Sequence, residues 1–363
     1  MLLSNTALSA SLIFIPNLAK DLGASDTEIG VIGAIYGIAV FISSYFFGRA
    51  SDVYDRKFII RLGLFASAIS FFLQVLADPY FVLPFWTNPQ LLAVARGLAG
   101  FSIGIFPPAL AAFVYESANP LGRYSSFGAL GWSIGTFVAG LFTFYWNAFA
   151  LSSGCLWLAF LISLSIKEIP SPRIRVPFFP KDIIKKNWHV YLSFFLRHTG
   201  ANCIWVIYPL FIASIVPGTD VDKFWIGVMY TVNTATQFIV MPFLDKLKDK
   251  ILIYTGLTLS LLTFLFFTLT QDYLQLLPMQ VLLACSWSSI YVGSLVYLMR
   301  HNKEKATCAG ILSSMISLAM VAGSLLGGVI SQLFEYRATM YIAATLTTIG
   351  FIFFIIGTRK NSN

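Results

Sequence analysis

The stretch GRASDVYDRK at positions 48–57 decides the fold of this chain. Half of its ten residues are charged, whereas the apolar segments on either side, 29–47 and 58–77, contain a single charged side chain, that of Arg61. So many charges cannot lie within hydrocarbon, because each charged side chain is costly to place there. The stretch is therefore predicted to be a hinge in water or lipid headgroups, between two membrane spans.

The composition extends this interpretation to the whole chain. Of its 363 residues, 57% are hydrophobic and only 11% are charged, and the mean hydropathy is +0.77. A soluble protein of this length cannot hide so much apolar surface in its core. The sequence therefore predicts an all-α membrane protein with twelve transmembrane helices of about 20 residues each. The twelve apolar segments are 1–18, 28–47, 58–77, 89–114, 124–145, 148–166, 190–214, 224–244, 251–270, 275–299, 308–333 and 338–357.

The distribution of lysine and arginine predicts the orientation. If the hinge at 48–57 is cytoplasmic, loops on its side hold 19 of the 24 basic residues and loops on the other side hold 3. Cytoplasmic loops are enriched in basic residues, so we expect a multi-pass protein of the cell membrane with both termini in the cytoplasm. The net charge of +8 then reflects topology and attraction to anionic lipid, and no nucleic-acid partner is expected.

An internal repeat divides the chain into two halves. The Ile-Gly pair at 29–30 lies 22 residues before Asp52, and the same pair at 226–227 lies 22 residues before Asp249. Serines and glycines of the fifth segment also recur in the eleventh at a constant offset of 188. We expect two six-helix bundles, 1–166 and 190–357, with a basic linker at 167–189 and a tail at 358–363.

The first segment is short relative to its repeat. Pro16 and Pro209 occupy matching places, but only 15 residues precede Pro16, whereas the seventh segment begins near Trp188, 21 residues before its proline. This difference predicts that a helical turn or two and a cytoplasmic tail are missing before Met1. Asn5 remains in this segment, and its polar side chain is expected either to join helix packing or to line a cavity.

The pattern Gly48-x-x-x-Asp52-x-x-x-Arg56-Lys57, in a six-plus-six protein, resembles the major facilitator superfamily. The resemblance implies a transporter whose two halves rock about a central site, and a latch at the hinge that closes the cytoplasmic side. The alternative is that Asp52 lies in a solvated turn that only helps to set the topology. Glu116 and Arg123 are expected latch partners, and Asp249 marks a second, shortened hinge.

Arg96 belongs to a second matching motif, Arg96-x-x-x-Gly100-x-x-x-Gly104, which resembles that of proton-coupled members of the superfamily. It lies about 12 Å into the fourth segment, at ~1.5 Å per residue. Charge there predicts a paired or cavity-facing role, with a bond to helix-end carbonyls as the structural alternative. Gly100 and Gly104 share its helix face and are expected to let another helix approach closely.

Further glycines are expected at helix contacts. Gly131, Gly135 and the repeated Gly323 belong to this set. The fifth segment only partly resembles the glycine-proline motif of antiporters in the superfamily, because no proline follows its central glycine. This departure counts against drug antiport.

The seventh segment supplies a second intramembrane arginine, Arg197, followed by His198 and Asn202. The superfamily lines its central cavity with the first, fourth, seventh and tenth helices, so Arg96 and Arg197 are both candidate binding residues. Trp287 and Tyr291 join them from the tenth segment. His198 is expected either to pack as a neutral ring or to carry a proton, and it is the only mid-span group that we expect to titrate near neutrality.

All 16 aspartates and glutamates fall in loops or at segment ends. Two intramembrane arginines without counter-carboxylates favour an anionic or carbonyl-rich solute. We therefore predict a secondary transporter of a small organic solute, with an anionic solute favoured, coupled to protons or another ion. The alternative is a proton-coupled multidrug exporter, and a receptor or intramembrane enzyme is the remote one.

Several absences complete the prediction. The four cysteines lie in or at apolar helices without a CxxC pair, so neither a metal site nor a disulfide framework is expected. Neither an HExxH nor a GxSxG motif occurs, so we expect no enzyme activity and no cofactor. The chain is expected to act as a monomer on a small-molecule substrate within the lipid bilayer.

Overall fold

The computed structural model describes residues 1–12, 14–78, 80, 89–166, 173–215 and 221–360. Those residues form fifteen α-helices and one short 3-10 helix, with no strand among them, so the all-α prediction is confirmed. The helices are α1 Leu2–Leu12, α2 Ile15–Asp21, α3 Asp26–Val53, α4 Arg56–Val75, α5 Pro89–Ile103, α6 Phe106–Glu116, α7 Leu121–Gly140, α8 Tyr145–Leu164, α9 Lys181–Trp205, α10 Tyr208–Ile215, α11 Val221–Leu244, α12 Asp249–Leu269, α13 Leu276–His301, α14 Lys305–Leu333 and α15 Tyr336–Lys360.

Three of the predicted segments are each built from two helices. These pairs are α1 with α2, α5 with α6, and α9 with α10. Prolines stand at the start of the second helix in each pair, at Pro16, Pro107 and Pro209. Proline lacks the N–H that would continue the hydrogen-bond ladder, so it ends the preceding helix and begins the next. The third pair is bent by 46° at its break.

Fewer helices pass a test for membrane spans than the twelve spans that were predicted. Among the described residues, nine helical stretches are long and apolar enough to cross a membrane, and the bent pair of α9 and α10 makes a tenth. Helices α7 and α11 match predicted segments but fall short of the same measure. Glycine, serine and amide side chains lower their hydropathy. The fold is therefore a helical membrane protein, and the count of twelve spans stays a prediction.

The chain forms two compact units. The first contains residues 1–120, 127–179 and 302–317, and the second contains 121–126, 180–301 and 318–363. The domain boundaries expected from the repeat stay a prediction. Helix α9 begins at Lys181, inside the expected linker, so the last nine residues of the linker are helical. Residues 167–172 of that linker and 361–363 of the tail lie outside the described residues.

Each unit has its own apolar core. In the first unit, Phe71 and Phe106 are fully buried in a cluster that joins α4, α5 and α6. In the second, Phe211, Phe264 and Phe267 form the centre of a cluster that joins α10, α12 and α13. These cores fix the helices that carry the charged side chains described below.

Gly135 of α7 and Gly323 of α14, which match in the repeat, contact matching positions of α1 and α9. In the first unit, a Cβ at Gly135 would meet Thr6 and Ser9 of α1. In the second unit, a Cβ at Gly323 would meet Thr199 and Asn202 of α9. Thr6 and Thr199 are 193 residues apart, as are Pro16 and Pro209. The repeat read from the sequence therefore corresponds to a repeated helix contact.

The remaining predicted packing glycines also lie at close helix contacts. A Cβ at Gly131 would meet the Leu2 carbonyl oxygen. Gly100 and Gly104 both face α3, where a Cβ would meet Tyr36 and Ser43 respectively. Each of these positions brings two helix backbones closer than an alanine would allow.

Candidate functional site: a charged latch and two buried arginines

The hinge is a tight turn between α3 and α4. Helix α3 ends at Val53, and Asp55 caps α4 by accepting a hydrogen bond from the Phe58 N–H at 2.8 Å. Asp52 therefore stays in the last turn of α3, and Arg56 becomes the first residue of α4. The sequence places both charged side chains at one helix junction because the Asp55 cap supplies the oxygen that the start of α4 needs.

The carboxylate of Asp52 binds the N-terminus of α14. It accepts hydrogen bonds from the backbone N–H groups of Ala306 and Thr307, at 3.2 Å and 2.7 Å, and from the Thr307 hydroxyl at 2.7 Å. The first N–H groups of a helix have no partner within the helix and carry its positive dipole end. Asp52 is only 1% exposed, so this anion is stabilised by groups that a solvated turn would leave to water.

Alternating charges extend from Asp52. Arg56 donates to Asp52 at 2.8 Å and also donates to Glu116 at the end of α6. Lys305, the first residue of α14, lies 3.8 Å from the second oxygen of Glu116. Each buried charge thus has an opposite charge beside it, as a buried network requires. We name Asp52, Arg56, Glu116 and Lys305 with the start of α14 the charged latch.

Gly48 brings the latch helices together one turn before Asp52. A Cβ at this position would lie 2.7 Å from the Gly310 Cα and 2.8 Å from the Ala306 carbonyl oxygen. Both neighbours are backbone atoms of α14, which cannot move aside as a flexible side chain would. Glycine is therefore required here for the two helices to approach within reach of the Asp52 carboxylate.

Replacing Gly48 with alanine is expected to lower transport several-fold, because the added methyl forces α3 and α14 apart. Gly33 is the matched control, since it lies on the same helix and a Cβ there meets nothing within 4 Å. Gly33→Ala should leave transport unchanged and stabilise the helix slightly, by about 1 kcal/mol at most. Transport and thermal unfolding of both variants check this. Equal behaviour of the two variants would show that the close approach is unimportant.

The second hinge uses a different carboxylate from the one predicted. Asp245 accepts hydrogen bonds from the backbone N–H groups of Gly122 and Arg123, at 2.7 Å and 3.0 Å, and so binds the N-terminus of α7. Asp249 instead begins α12 and pairs with Arg300 at 3.2 Å. The repeat gave no signal for Asp245, because its offset of 197 residues pairs Asp245 with Gly48 and Asp249 with Asp52.

Two predicted latch residues take other places. Arg123 contributes its backbone N–H to Asp245, and its side chain is exposed. Lys57 is the second residue of α4. Within the described part of the chain, neither side chain forms an ion pair. The expectation that Arg123 would partner Asp52 is replaced by Arg56 and the start of α14.

Arg96 is buried in the first unit without a carboxylate. It is 1% exposed and donates to the Ser11 hydroxyl and the Gln74 amide oxygen, each at 3.3 Å. Its guanidinium carbon lies 4.0 Å from the centre of the Tyr36 ring. Neutral oxygens and a ring face stabilise this cation only partly, because none of them carries a full negative charge.

Arg197 occupies an analogous setting in the second unit. It is 1% exposed and donates to the hydroxyls of Ser260 and Ser286, at 2.7 Å and 3.0 Å. Its guanidinium carbon lies 5.6 Å from the Phe264 ring and 5.8 Å from the Trp287 ring. Among the described residues, no carboxylate pairs with either arginine. Each could therefore accept an anionic group from a bound molecule.

The rings of His198, Trp287 and Tyr291 form a stack beside Arg197. His198 stacks on Trp287 at 4.9 Å between ring centres, and Trp287 stacks on Tyr291 at 5.3 Å with the planes 14° apart.

The two predicted asparagines bond mainly within their own helices. Asn202 donates to the His198 carbonyl at 2.8 Å, and Asn5 donates to the Met1 carbonyl at 3.1 Å.

Sequence reasoning missed the groups that hold the two arginines. Tyr36, Gln74, Ser260 and Ser286 were not predicted as site residues. Gln74 offered the clearest signal, because it is the one amide side chain in the apolar segment 58–77. The serines gave none, since serine is common in packed membrane helices.

Comparisons with known proteins give the chain its relatives. A family model described as Major Facilitator Superfamily matches residues 1–189 and again residues 190–363. The quinolone resistance protein NorA of Staphylococcus aureus is 23% identical over 94% of this chain and 90% of its own length. The multidrug resistance protein MdtG of Dickeya zeae is 24% identical over 99% of this chain and 93% of its own length.

Solved structures support the same fold. The human organic anion transporter MFSD10 superimposes with a TM-score of 0.76, covers 97% of this chain and 96% of its own, and is 16% identical. FucP, in the outward conformation, superimposes with a TM-score of 0.70 over 97% of this chain and 98% of its own, also at 16% identity.

Proposed function

Because the chain belongs to the major facilitator superfamily, we propose that this multi-pass membrane transporter exports structurally diverse organic compounds by alternating access. The observation that carries this proposal is the pair of resistance proteins that match over nine tenths of their lengths. The chain acts as a monomer in the cell membrane, with both termini in the cytoplasm. It binds small molecules and catalyses no reaction. This proposal takes the multidrug alternative ahead of the anion-specific one that the sequence favoured.

The charged latch is the gate in this proposal. The Asp52 carboxylate joins α3 to the N-terminus of α14 through three hydrogen bonds. When these helices separate on one side of the membrane, all three bonds must break, and they form again when that side closes. The excess of lysine and arginine in the loops on this side supports a cytoplasmic position for the gate. An exporter passes through both arrangements in every cycle, so the latch must be neither too strong nor too weak.

Proton coupling is part of the proposal, and His198 is its candidate. Exchange of a proton for a drug requires a group that can titrate within the membrane. Among the described residues, the buried carboxylates Asp52, Asp78 and Asp249 all lie at helix ends. His198 lies within α9 and contacts Trp287, so its charge would change beside a candidate binding surface.

Transport of organic anions is the second candidate function. The observation in its favour is the pair of buried arginines, each held by neutral groups. A carboxylate entering either setting would gain a charge-assisted hydrogen bond, which is about twice as strong as a neutral one. The two candidate functions differ in the substrates that they predict. A multidrug exporter also transports cations, whereas an anion transporter does not.

Uptake by proteoliposomes under an imposed pH gradient tests the proposal. The probes are a carboxylate-bearing quinolone, a cationic dye such as ethidium and a simple aromatic carboxylate. Multidrug export predicts that the quinolone and ethidium are both transported and that each inhibits the other. Transport of the two carboxylates without ethidium would favour the anion transporter. Uptake of no probe above that of empty liposomes would contradict both.

A further inference from the structure

We propose that a cavity beside the hinge binds one anionic phospholipid. The cavity has a volume of about 490 Å³ and lies within the first unit, where the end of α3 and the start of α4 meet Arg173. Its charged lining residues are Asp55, which belongs to the hinge, and Arg173. The apolar wall is formed chiefly by Phe47, Tyr54, Phe58 and Leu62.

The position and the wall of this cavity suit an acyl chain. Leu62 and Phe47 lie within the apolar helices α4 and α3, whereas Tyr54 and Phe58 flank the charged turn. Tyr54 is 61% exposed and Phe58 is 59% exposed. Exposed aromatic side chains at the end of a span are typical of the headgroup level of a membrane. A lipid there could place its acyl chain along the wall with its phosphate beside the hinge.

The charges favour an anionic headgroup. Arg173 is exposed and forms no ion pair with any described residue. The carboxylate of Asp55 caps α4 by accepting from the Phe58 N–H at 2.8 Å, and among the described residues no ion pair joins it to Arg173. A guanidinium binds phosphate oxygens through its planar fork of N–H donors.

The bound lipid would also act on the helix that carries the latch. Residues 173–179, which include Arg173, form a strap along α3. A lipid phosphate on Arg173 therefore holds the strap against the helix that carries Asp52. The strap bonds are Ile174 N–H to the Asp52 carbonyl at 2.9 Å, Arg49 Nε to the carbonyls of Val176 and Pro177 at 3.0 Å and 3.1 Å, and the Tyr45 hydroxyl to the Phe178 carbonyl at 2.8 Å.

Thermal unfolding of the purified full-length protein in detergent tests the site. Phosphatidylglycerol is titrated against phosphatidylcholine of the same acyl chains, and glycerol 3-phosphate serves as the headgroup without acyl chains. We expect phosphatidylglycerol to raise the unfolding temperature at a saturable concentration and the other two to raise it little. Arg173→Ala should require about tenfold more phosphatidylglycerol, as expected for loss of one charge-assisted hydrogen bond.

Arg175→Ala is the matched control. It removes the same charge two residues further along the same strap, outside the cavity lining, and should titrate as the unmodified protein does. Three results would overturn the proposal. They are equal effects of the two phospholipids, an effect of glycerol 3-phosphate alone, and equal behaviour of Arg173→Ala and Arg175→Ala. Because the readout is unfolding, a failure here is independent of any failure to transport drugs.

Discussion

Replacing Asp52 with asparagine is expected to reduce transport roughly tenfold or more while the chain still folds. The amide carries no charge, so it loses the attraction of the α14 N-terminus and leaves Arg56 with one anionic partner instead of two. Breaking a buried ion pair costs roughly 3–5 kcal/mol. A change of that size shifts the balance between closed and open latch by about a hundredfold or more, and the cycle then spends too little time closed.

Asp55→Asn is the matched control for this prediction. Asp55 lies three residues away, but its carboxylate caps α4, and among the described residues no ion pair joins it to α14. Asparagine caps helices about as well as aspartate, so this replacement should cost little stability and change transport little. Uptake by proteoliposomes containing equal amounts of each variant gives the comparison. If Asp52→Asn transported as well as Asp55→Asn, the latch would have no role in the cycle.

Replacing Arg197 with alanine is expected to reduce transport of a quinolone roughly 10- to 100-fold while ethidium transport falls far less. The guanidinium is held by the hydroxyls of Ser260 and Ser286 and by ring faces, so it has charge to offer a substrate carboxylate. A hydrogen bond to a charged group contributes roughly 1.5–3 kcal/mol, which gives the stated range. Arg96→Ala should behave in the same way if it contacts the same class of group.

Two controls separate charge recognition from general damage. Arg197→Lys keeps the charge but loses the planar fork, so quinolone transport should be intermediate. Arg61→Ala removes a basic residue that donates to the Leu164 carbonyl at 3.0 Å, at the end of α8, and should affect both probes equally and slightly. An equal loss of quinolone and ethidium in Arg197→Ala would show that the arginine is structural and would end its assignment to substrate binding.

The hinge was predicted from the sequence only in part. Its position followed from the charges between two apolar segments, and the importance of Gly48 and Asp52 followed from the resemblance of their motif to that of the major facilitator superfamily. The partner of Asp52 did not, because the backbone N–H groups of residues 306 and 307 lie more than 250 positions away. Backbone donors also have no sequence signature of their own, so only the packing of α3 on α14 could reveal them.

The second hinge and the broken helices mark other limits. The repeat aligned Asp249 with Asp52, but the carboxylate that binds a helix N-terminus is Asp245, one turn earlier. Asp245 directly follows α11 and Asp249 begins α12, so the offset of the repeat could not show which of the two carboxylates reaches a helix N-terminus. The breaks after α1, α5 and α9 were missed because apolarity continues across each of them, although Pro16, Pro107 and Pro209 were visible in the sequence.

The most direct test of the latch is a distance measurement between spin labels at Tyr54 and Lys303, both exposed and on opposite sides of it. The labels are placed in a transport-competent variant whose four cysteines are replaced by alanine. The account predicts a dominant short distance with Asp52 present and a shift to longer distances in Asp52→Asn, with no shift in Asp55→Asn. An unchanged distance distribution in Asp52→Asn would contradict it.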